Sequence, residues 1–290
     1  AFQVDDPVGP NGTPNNRSVR VLLPDGGRHL YLHRDFALGI PDSYQTGVPS
    51  ISQFSSALEN SGLNTRNSFH WGPRQYATLS STNVADLSAA DFQKARLRHW
   101  LKSGDSAVSP TLSFERDPSP DAAGSVEGHK TWFDYAGKTN TQYQGTQSLP
   151  MLVARVLPDG TTSFTRTERN SFGAVTNEIT TYSANGAVAL RTNIFTYAAD
   201  DIDLLTQTNA LGVQVTSNMY NSAHQVVANF NALGEPTIYT YNANHQLTSR
   251  TLPTSLITTN IYDPSGLLTN TFDFAIVGSN TVYYRTNFYT

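Results

Sequence analysis

The sequence predicts an all-β protein built from repeated β-hairpins, and three observations carry that prediction. Tyrosine returns at a fixed step: Tyr220, Tyr241, Tyr262 and Tyr283 stand 21 residues apart, with Tyr197 23 residues before Tyr220 and Tyr182 15 before Tyr197. A second mark keeps nearly the same step, Asn-Ala-Leu-Gly at Asn209–Gly212 and again at Asn231–Gly234, 22 residues on. Two independent marks on one period signal a repeat architecture. The third observation is composition. Residues 170–290 hold three basic side chains (Arg191, Arg250, Arg285) and seven acidic ones, while Thr and Asn fill 35 of the 121 positions. Threonine is β-branched and suits a pleated strand, and asparagine suits turns that need a positive φ.

Each unit divides into the same parts: Tyr followed by Asn or Asp, a turn such as "ANH" or "PSG", a strand such as "QLTSRTL", a second turn, and a returning strand such as "LITTNIY". Two strands of about seven residues at about 3.3 Å each, with two turns, account for the period. Gly186, Gly212, Gly234 and Gly266 are the expected turn glycines. A lone hairpin is marginal in water, so each must pair with its neighbours. Stacking then aligns Tyr182, Tyr197, Tyr220, Tyr241, Tyr262 and Tyr283 as a structural ladder, with rings offset or edge to face. Tyrosines and aliphatics are expected to fill one face, with Thr and Asn on the other. A sugar-stacking surface on part of the ladder is the competing reading.

The units "YDPSGLLTNTF" and "YNANHQLTSRTL" resemble the YD repeat, and "NALG" resembles that family's Asp-Pro-Leu-Gly element. Upstream, "ARLRHWLKSGDSAVSPTLSFERDPSP" followed by "KTWFDYAGK" is similar to the segment that leads into the repeats of rearrangement-hotspot (Rhs) proteins. The resemblance runs from about residue 95 to the end. It implies hairpins wound as a spiral sheet into a β-shell or solenoid, as in bacterial Rhs and insecticidal-toxin subunits and in animal teneurins, and in the bacterial cases a container around a C-terminal toxin. The residue after the repeat tyrosine departs from the family pattern, being Ser183, Ala198, Asn221 or Asn242 as well as Asp263. The family's C-terminal core, with its self-cleavage and cargo, has no counterpart in these 290 residues.

The expected organisation is a β-rich, loop-rich region over residues 1–94, lead-in hairpins over 95–181, and YD repeats of about 21 residues over 182–290. "RSVRVLLPDGGRHLYLHRDF" reads as a hairpin around Pro-Asp-Gly, and "LPDG" returns at Leu157–Gly160. Residues 37–85 read as loops with a few short strands. Ser88 with Asp91 forms a capping-box pattern, so a short helical entry is expected before a hairpin from about Ala95.

Chemistry is sparse. The sequence has no cysteine, which excludes disulfides, thiolate metal sites and a cysteine nucleophile. No nucleophile elbow, zinc motif, P-loop or dinucleotide fingerprint is present. Asp200, Asp201 and Asp203 are weak candidates for a cation, against turn capping. His29 and His33 share a face of a strand but stand about 13 Å apart. Glu115 and Asp117 could be paired carboxylates, and Trp71, Trp100 and Trp132 a carbohydrate platform; strand-end acids and core anchors are the competing readings. The expectation is a non-enzymatic protein with no catalytic residue, cofactor or metal.

Without a basic stripe, nucleic acid is a poor partner, and no apolar run is long enough to span a membrane. The expected partners are further repeats of a longer chain or other copies through β-edges, a polypeptide cargo, or a glycan, at an extracellular or cell-surface location. A segment of a toxin-encapsulating shell is the first reading. A cell-surface adhesive, matrix or filament-forming protein is the second. The first residue is Ala, and the chain is expected to be a processed product or an internal piece.

Overall fold

The computed structural model describes residues 2–5, 17–40, 48–59, 61–156, 160–278 and 280–289. Nineteen strands run through them and join one sheet, with only two short α-helices and a 3-10 turn beside them. The registers pair strands that follow one another in the chain, antiparallel throughout, from β1 (Phe2–Asp5) with β2 (Arg17–Leu22) to β18 (Leu268–Val277) with β19 (Asn280–Phe288). A run of hairpins must give this pattern, because tight turns join antiparallel neighbours. The chain divides into two compact units, Ala1–Thr167 with Thr180–Ala189, and Glu168–Ile179 with Leu190–Thr290. Strands β9 (Thr162–Arg169), β10 (Val175–Ala184) and β11 (Ala187–Tyr197) contribute residues to both.

The first unit has a conventional core. In β5 (Arg96–Lys102), Leu97, His99 and Leu101 are buried and alternate with Arg96, Arg98 and Trp100 on the other face. Strand β4 (Asn67–Trp71) buries Asn67, Phe69 and Trp71 in the same way. Helix α2 (Ala89–Gln93) lays Phe92 edge-on against Phe69, with centroids 4.8 Å apart. The expected capping box starts this helix: Ser88 Oγ accepts from Asp91 N–H, and the Asp91 carboxylate accepts from Ser88 N–H. Burial works against that carboxylate, but donors from Ser80 and Ser88 outweigh it and hold its pKa well below the usual range.

From Arg96 the chain enters the expected hairpin, β5 with β6 (Val108–Arg116). Trp132, on β7 (Lys130–Asp134), is fully buried and packs 4.3 Å from Phe114. Strands β2 and β3 (Arg28–His33) close the Pro-Asp-Gly hairpin, where Leu23 N–H donates to Gly27 O and Gly26 takes φ +85°. The second "LPDG" lies outside the described residues except for Gly160. Residues 37–85 contain β4, helix α1 (Pro73–Tyr76) and the start of the 3-10 turn Val84–Asp86.

The second unit is built differently. Among its described residues only Ala228, Asp203 and Thr271 are buried. Its strands are β12 (Leu204–Thr208), β13 (Gln214–Tyr220), β14 (Val226–Asn231), β15 (Pro236–Tyr241), β16 (Leu247–Thr251), β17 (Leu256–Tyr262), β18 and β19. The expected division of its faces does not hold. Met219, Ile238 and Ile261 are exposed beside the threonines, while Asn218, Asn229 and Asn260 share the tyrosine face. With so little apolar area removed from water, hydrogen bonding must carry more of the order, and polar side chains stand where they reach neighbouring strands.

Candidate functional site: a tyrosine clasp along one row of turns

The two sequence marks are one turn used at both ends of the hairpin. At Asn209, the side-chain Oδ1 accepts from the N–H groups of Leu211 and Val213, at 2.9 and 3.1 Å. Asn209 N–H donates to Val213 O, and Gly212 N–H to Asn209 O, with Gly212 at φ +76°. This is a type I turn followed by a left-handed residue, a twist that suits a hairpin. Asn231 repeats it with Gly234 at φ +77°. The turns after the repeat tyrosines use the same device: Asn221 with His224 at φ +58°, Asn242 with His245 at +63°, and Asp263 with Gly266 at +87°. Donors from Ser265 and Leu267 lower the pKa of the Asp263 carboxyl. Gly186, at φ +79°, instead closes a two-residue Asn-Gly turn with Asn185 at φ +51°.

A bulge accompanies each tyrosine turn. The register slips at Tyr197, Tyr220, Tyr241 and Tyr262, where the strand that leaves the turn carries one extra residue, Leu205, Val227, Thr248 and Thr269 in turn. A bulge interrupts the ladder and leaves backbone groups without their strand partner. The tyrosines one repeat along donate to carbonyls at the strand starts beside these turns. Tyr220 OH donates to Leu204 O at 3.0 Å, Tyr241 OH to Val226 O at 2.9 Å, and Tyr262 OH to Leu247 O at 3.0 Å. Tyr197 OH donates to Val175 O at 2.8 Å. Each acceptor is the first residue of a strand that leaves the same row of turns. Burial raises the pKa of the Tyr197, Tyr220 and Tyr241 hydroxyls, which keeps each a donor.

Asparagine completes two of the clasps. Asn218, two residues before Tyr220, donates from Nδ2 to the same Leu204 carbonyl at 2.8 Å, and Asn260 donates to Leu247 O at 3.0 Å. The Asn-x-Tyr spacing places both side chains on one face of the strand, aimed at both lone pairs of one oxygen. Sequence reasoning missed these asparagines, although "NMY" and "NIY" carried the signal.

Neighbouring turns in this row are also joined to each other. Asn170 Nδ2 donates to Asp201 O, Gln225 Nε2 to His245 O, and Gln246 Nε2 to Gly266 O, at 2.7 to 2.9 Å. His224 Nδ1 lies 3.0 Å from Asp203 Oδ2 and 3.6 Å from Asp200 Oδ2. The hydrogen bond that His224 Nδ1–H donates to Asp203, then the charge of Asp203 and that of Asp200, raise the His224 pKa above its ordinary 6.5. A group raised on folding stabilises in full below the unfolded value and loses that contribution as pH climbs through the folded value. NMR titration of the His224 ring should therefore give a midpoint above 6.5, and Asp203→Asn should bring it back; a wild-type midpoint at or below 6.5 would refute the pairing.

The remaining candidates fall into place around this frame. Two of the six ladder positions stand apart: Tyr182 lies half-exposed on β10, and Tyr283 lies on β19 against Phe272 and Phe274. Among the described residues no ring contact joins two of the six, because their link runs through hydroxyl and carbonyl. Asp200 Oδ1 accepts from the N–H groups of Ile202 and Asp203, while the Asp201 carboxylate accepts from Ser171. Asp200 and Asp203 do come within 4.8 Å of His224, and Asp201 stays outside that group. Glu115 and Asp117 are bridged by Arg96, at 2.7 and 3.0 Å. Trp71 and Trp132 are core, and the half-buried Trp100 donates to Ser68 Oγ. His29 meets His70 at 3.0 Å rather than His33.

The class these features define is a hairpin-repeat β-sheet protein whose repeats are clasped by tyrosine hydroxyls. No family model matches the chain, and no curated protein matches it. Among solved structures it is similar to the TcdB2-TccC3-TEV crystal structure, at 13% identity and a TM-score of 0.41 over 95% of this chain and 17% of that one. It is also similar to the Photorhabdus luminescens Tc holotoxin pore, at 14% identity and a TM-score of 0.37 over 97% of this chain and 17% of that one. The chain thus spans about a sixth of the length of these structures. No helix among the described residues is long and apolar enough to cross a membrane.

Proposed function

We propose that this chain is a non-catalytic structural segment of a YD-type shell, extracellular or at a cell surface, that encloses or presents a polypeptide cargo lying outside it. The observation that supports this reading is the fourfold recurrence of the tyrosine clasp, which ties each hairpin to the one before it and uses no group in a way that leaves it available for chemistry. A surface with few charges and many Thr and Asn side chains suits contact with an unfolded passenger, because it offers hydrogen bonds without a strong ionic grip. Further repeats or other copies would pair through the strand edges, which offer unsatisfied N–H and C=O groups.

A second reading, an adhesive or filament-forming surface protein, draws on the exposed Tyr283, Tyr284, Phe288 and Tyr289. Limited proteolysis separates the two when an unfolded, protease-sensitive peptide is fused to the C-terminus. The shell reading expects the passenger to be cut markedly more slowly than the same peptide on a compact carrier protein. Equal rates end the container role, and equal rates with filaments in negative stain select the second reading.

A further inference from the structure

The registers of the first unit bring a basic and aromatic hollow to the sheet face opposite its core. Arg17, His33, Ser68 and Arg98 are successive cross-strand partners over β2, β3, β4 and β5, and Val19, Tyr31, His70 and Arg96 form the adjacent row. These residues alternate with the core residues Leu30, Leu32, Phe69 and Leu97, so they project from the opposite face. Both rows line a cleft of about 280 Å³.

One side of the cleft is a stack of planar rings. Tyr31 lies 4.4 Å from His70 at an interplanar angle of 5°, and His29 lies 5.3 Å from His70. The His29–His70 contact fixes the stack, and Tyr31 remains 44% exposed. Burial, then His29, Arg98 and Arg96, lower the His70 pKa, so this ring stays neutral near pH 7.

The positive charge therefore rests on guanidinium groups, and they are not equally committed. Arg96 is matched by Glu115 and Asp117. Among the described residues Arg98 commits only Nε, to Glu115 at 3.1 Å, and both its amino groups remain available. Arg17 is exposed and makes no hydrogen bond or ion pair with a described residue. Three strand spacings separate Arg17 from Arg98, about 14 Å between Cα atoms, and Arg98 is drawn toward Glu115 on β6, so the two guanidinium groups offer separate anion positions along one row. Guanidinium forks match carboxylate and sulfate oxygens, and a tyrosine face packs against the C–H face of a sugar ring.

We propose that this cleft binds an acidic saccharide, with one carboxylate or sulfate at Arg17, another at the amino groups of Arg98, and a ring against Tyr31. The site lies within the first unit and does not depend on the shell reading.

Isothermal titration calorimetry of the whole chain tests it, with a heparin tetrasaccharide and a tetragalacturonate as probes, and with neutral cellotetraose, sodium sulfate and single-stranded DNA as comparisons. At least one acidic saccharide should bind while cellotetraose and sulfate do not. Arg17→Gln and Tyr31→Ala should each weaken binding about tenfold or more, the loss of one charge-assisted bond or one stacked ring. Both substitutions are on the surface, so the thermal midpoint should hold. Failure of both acidic probes overturns the proposal, as does binding unchanged in Arg17→Gln. Sulfate or single-stranded DNA binding as tightly as the saccharides would also overturn it, by showing that charge alone is read.

Discussion

Glu59→Ala should lower the stability of the first unit by about 3–5 kcal/mol, the usual result of stripping a partner from a buried ionic group. Glu59 and His99 are fully buried and Arg66 nearly so. Arg66 donates to Glu59 Oε1 at 2.5 Å, and His99 Nε2 lies 2.8 Å from Glu59 Oε2. The other nitrogen of His99 faces Asn67 Oδ1 at 2.9 Å. Asn67 Nδ2 is already committed to Leu63 O, so its oxygen is the acceptor there. Without the carboxylate, the Arg66 guanidinium keeps Trp100 O and Thr65 Oγ1 but loses its anionic partner in the interior, and water would have to enter or the segment around Glu59 detach. That segment has no regular structure and depends on such contacts: Asp134 accepts from Ala57 N–H, and Lys138, its pKa lowered by burial, donates to Ala57 O. Urea unfolding of the variant measures the loss, and a loss below about 1 kcal/mol would show that the cluster does not hold the segment.

Replacing Tyr197, Tyr220, Tyr241 and Tyr262 together by Phe should cost the second unit about 2–4 kcal/mol, from four hydrogen bonds at about 0.5–1 kcal/mol each. Phenylalanine keeps the ring, so the change isolates the hydroxyl. The single variants should rank in a definite order. Leu204 O and Leu247 O keep a donor from Asn218 and Asn260, whereas Val175 O and Val226 O lose the side-chain donor that reaches them. Tyr197→Phe and Tyr241→Phe should therefore cost more than Tyr220→Phe and Tyr262→Phe. Tyr182→Phe and Tyr283→Phe serve as controls with little effect. Native-state hydrogen exchange reads the result at the amides flanking each bulge. Equal losses across all six tyrosines would mean that the clasp is not what joins the repeats.

The turns and strands were legible because their bonds are local. An Asn caps a turn two and four residues ahead, and Ser88 pairs with Asp91 three residues on, so spacing and residue type already specify the geometry. The tyrosine period was equally visible, but its meaning was not. Ring stacking and hydroxyl clasping ask for the same residue at the same step, and the choice depends on whether a strand-start carbonyl one repeat back lies within reach of the hydroxyl. Tyr283 keeps the period in the chain and loses the place in the sheet. Strands β18 and β19 run to ten and nine residues where earlier strands of the second unit run to five to seven, so equal spacing no longer means equal position.

By itself the amino-acid order determined an all-β chain of short hairpins and the residues that turn them, because side-chain alternation and Asx turns act within a few positions of the chain. Only the tertiary structure decided which distant groups meet: Glu59 with His99, His29 with His70, and each clasping tyrosine hydroxyl with the carbonyl of the preceding hairpin. The reason is register. A slip of one residue would send every strand side chain among them to the opposite face, and register is set by the sum of bulges, turns and burial along the whole sheet rather than by any stretch that can be read alone.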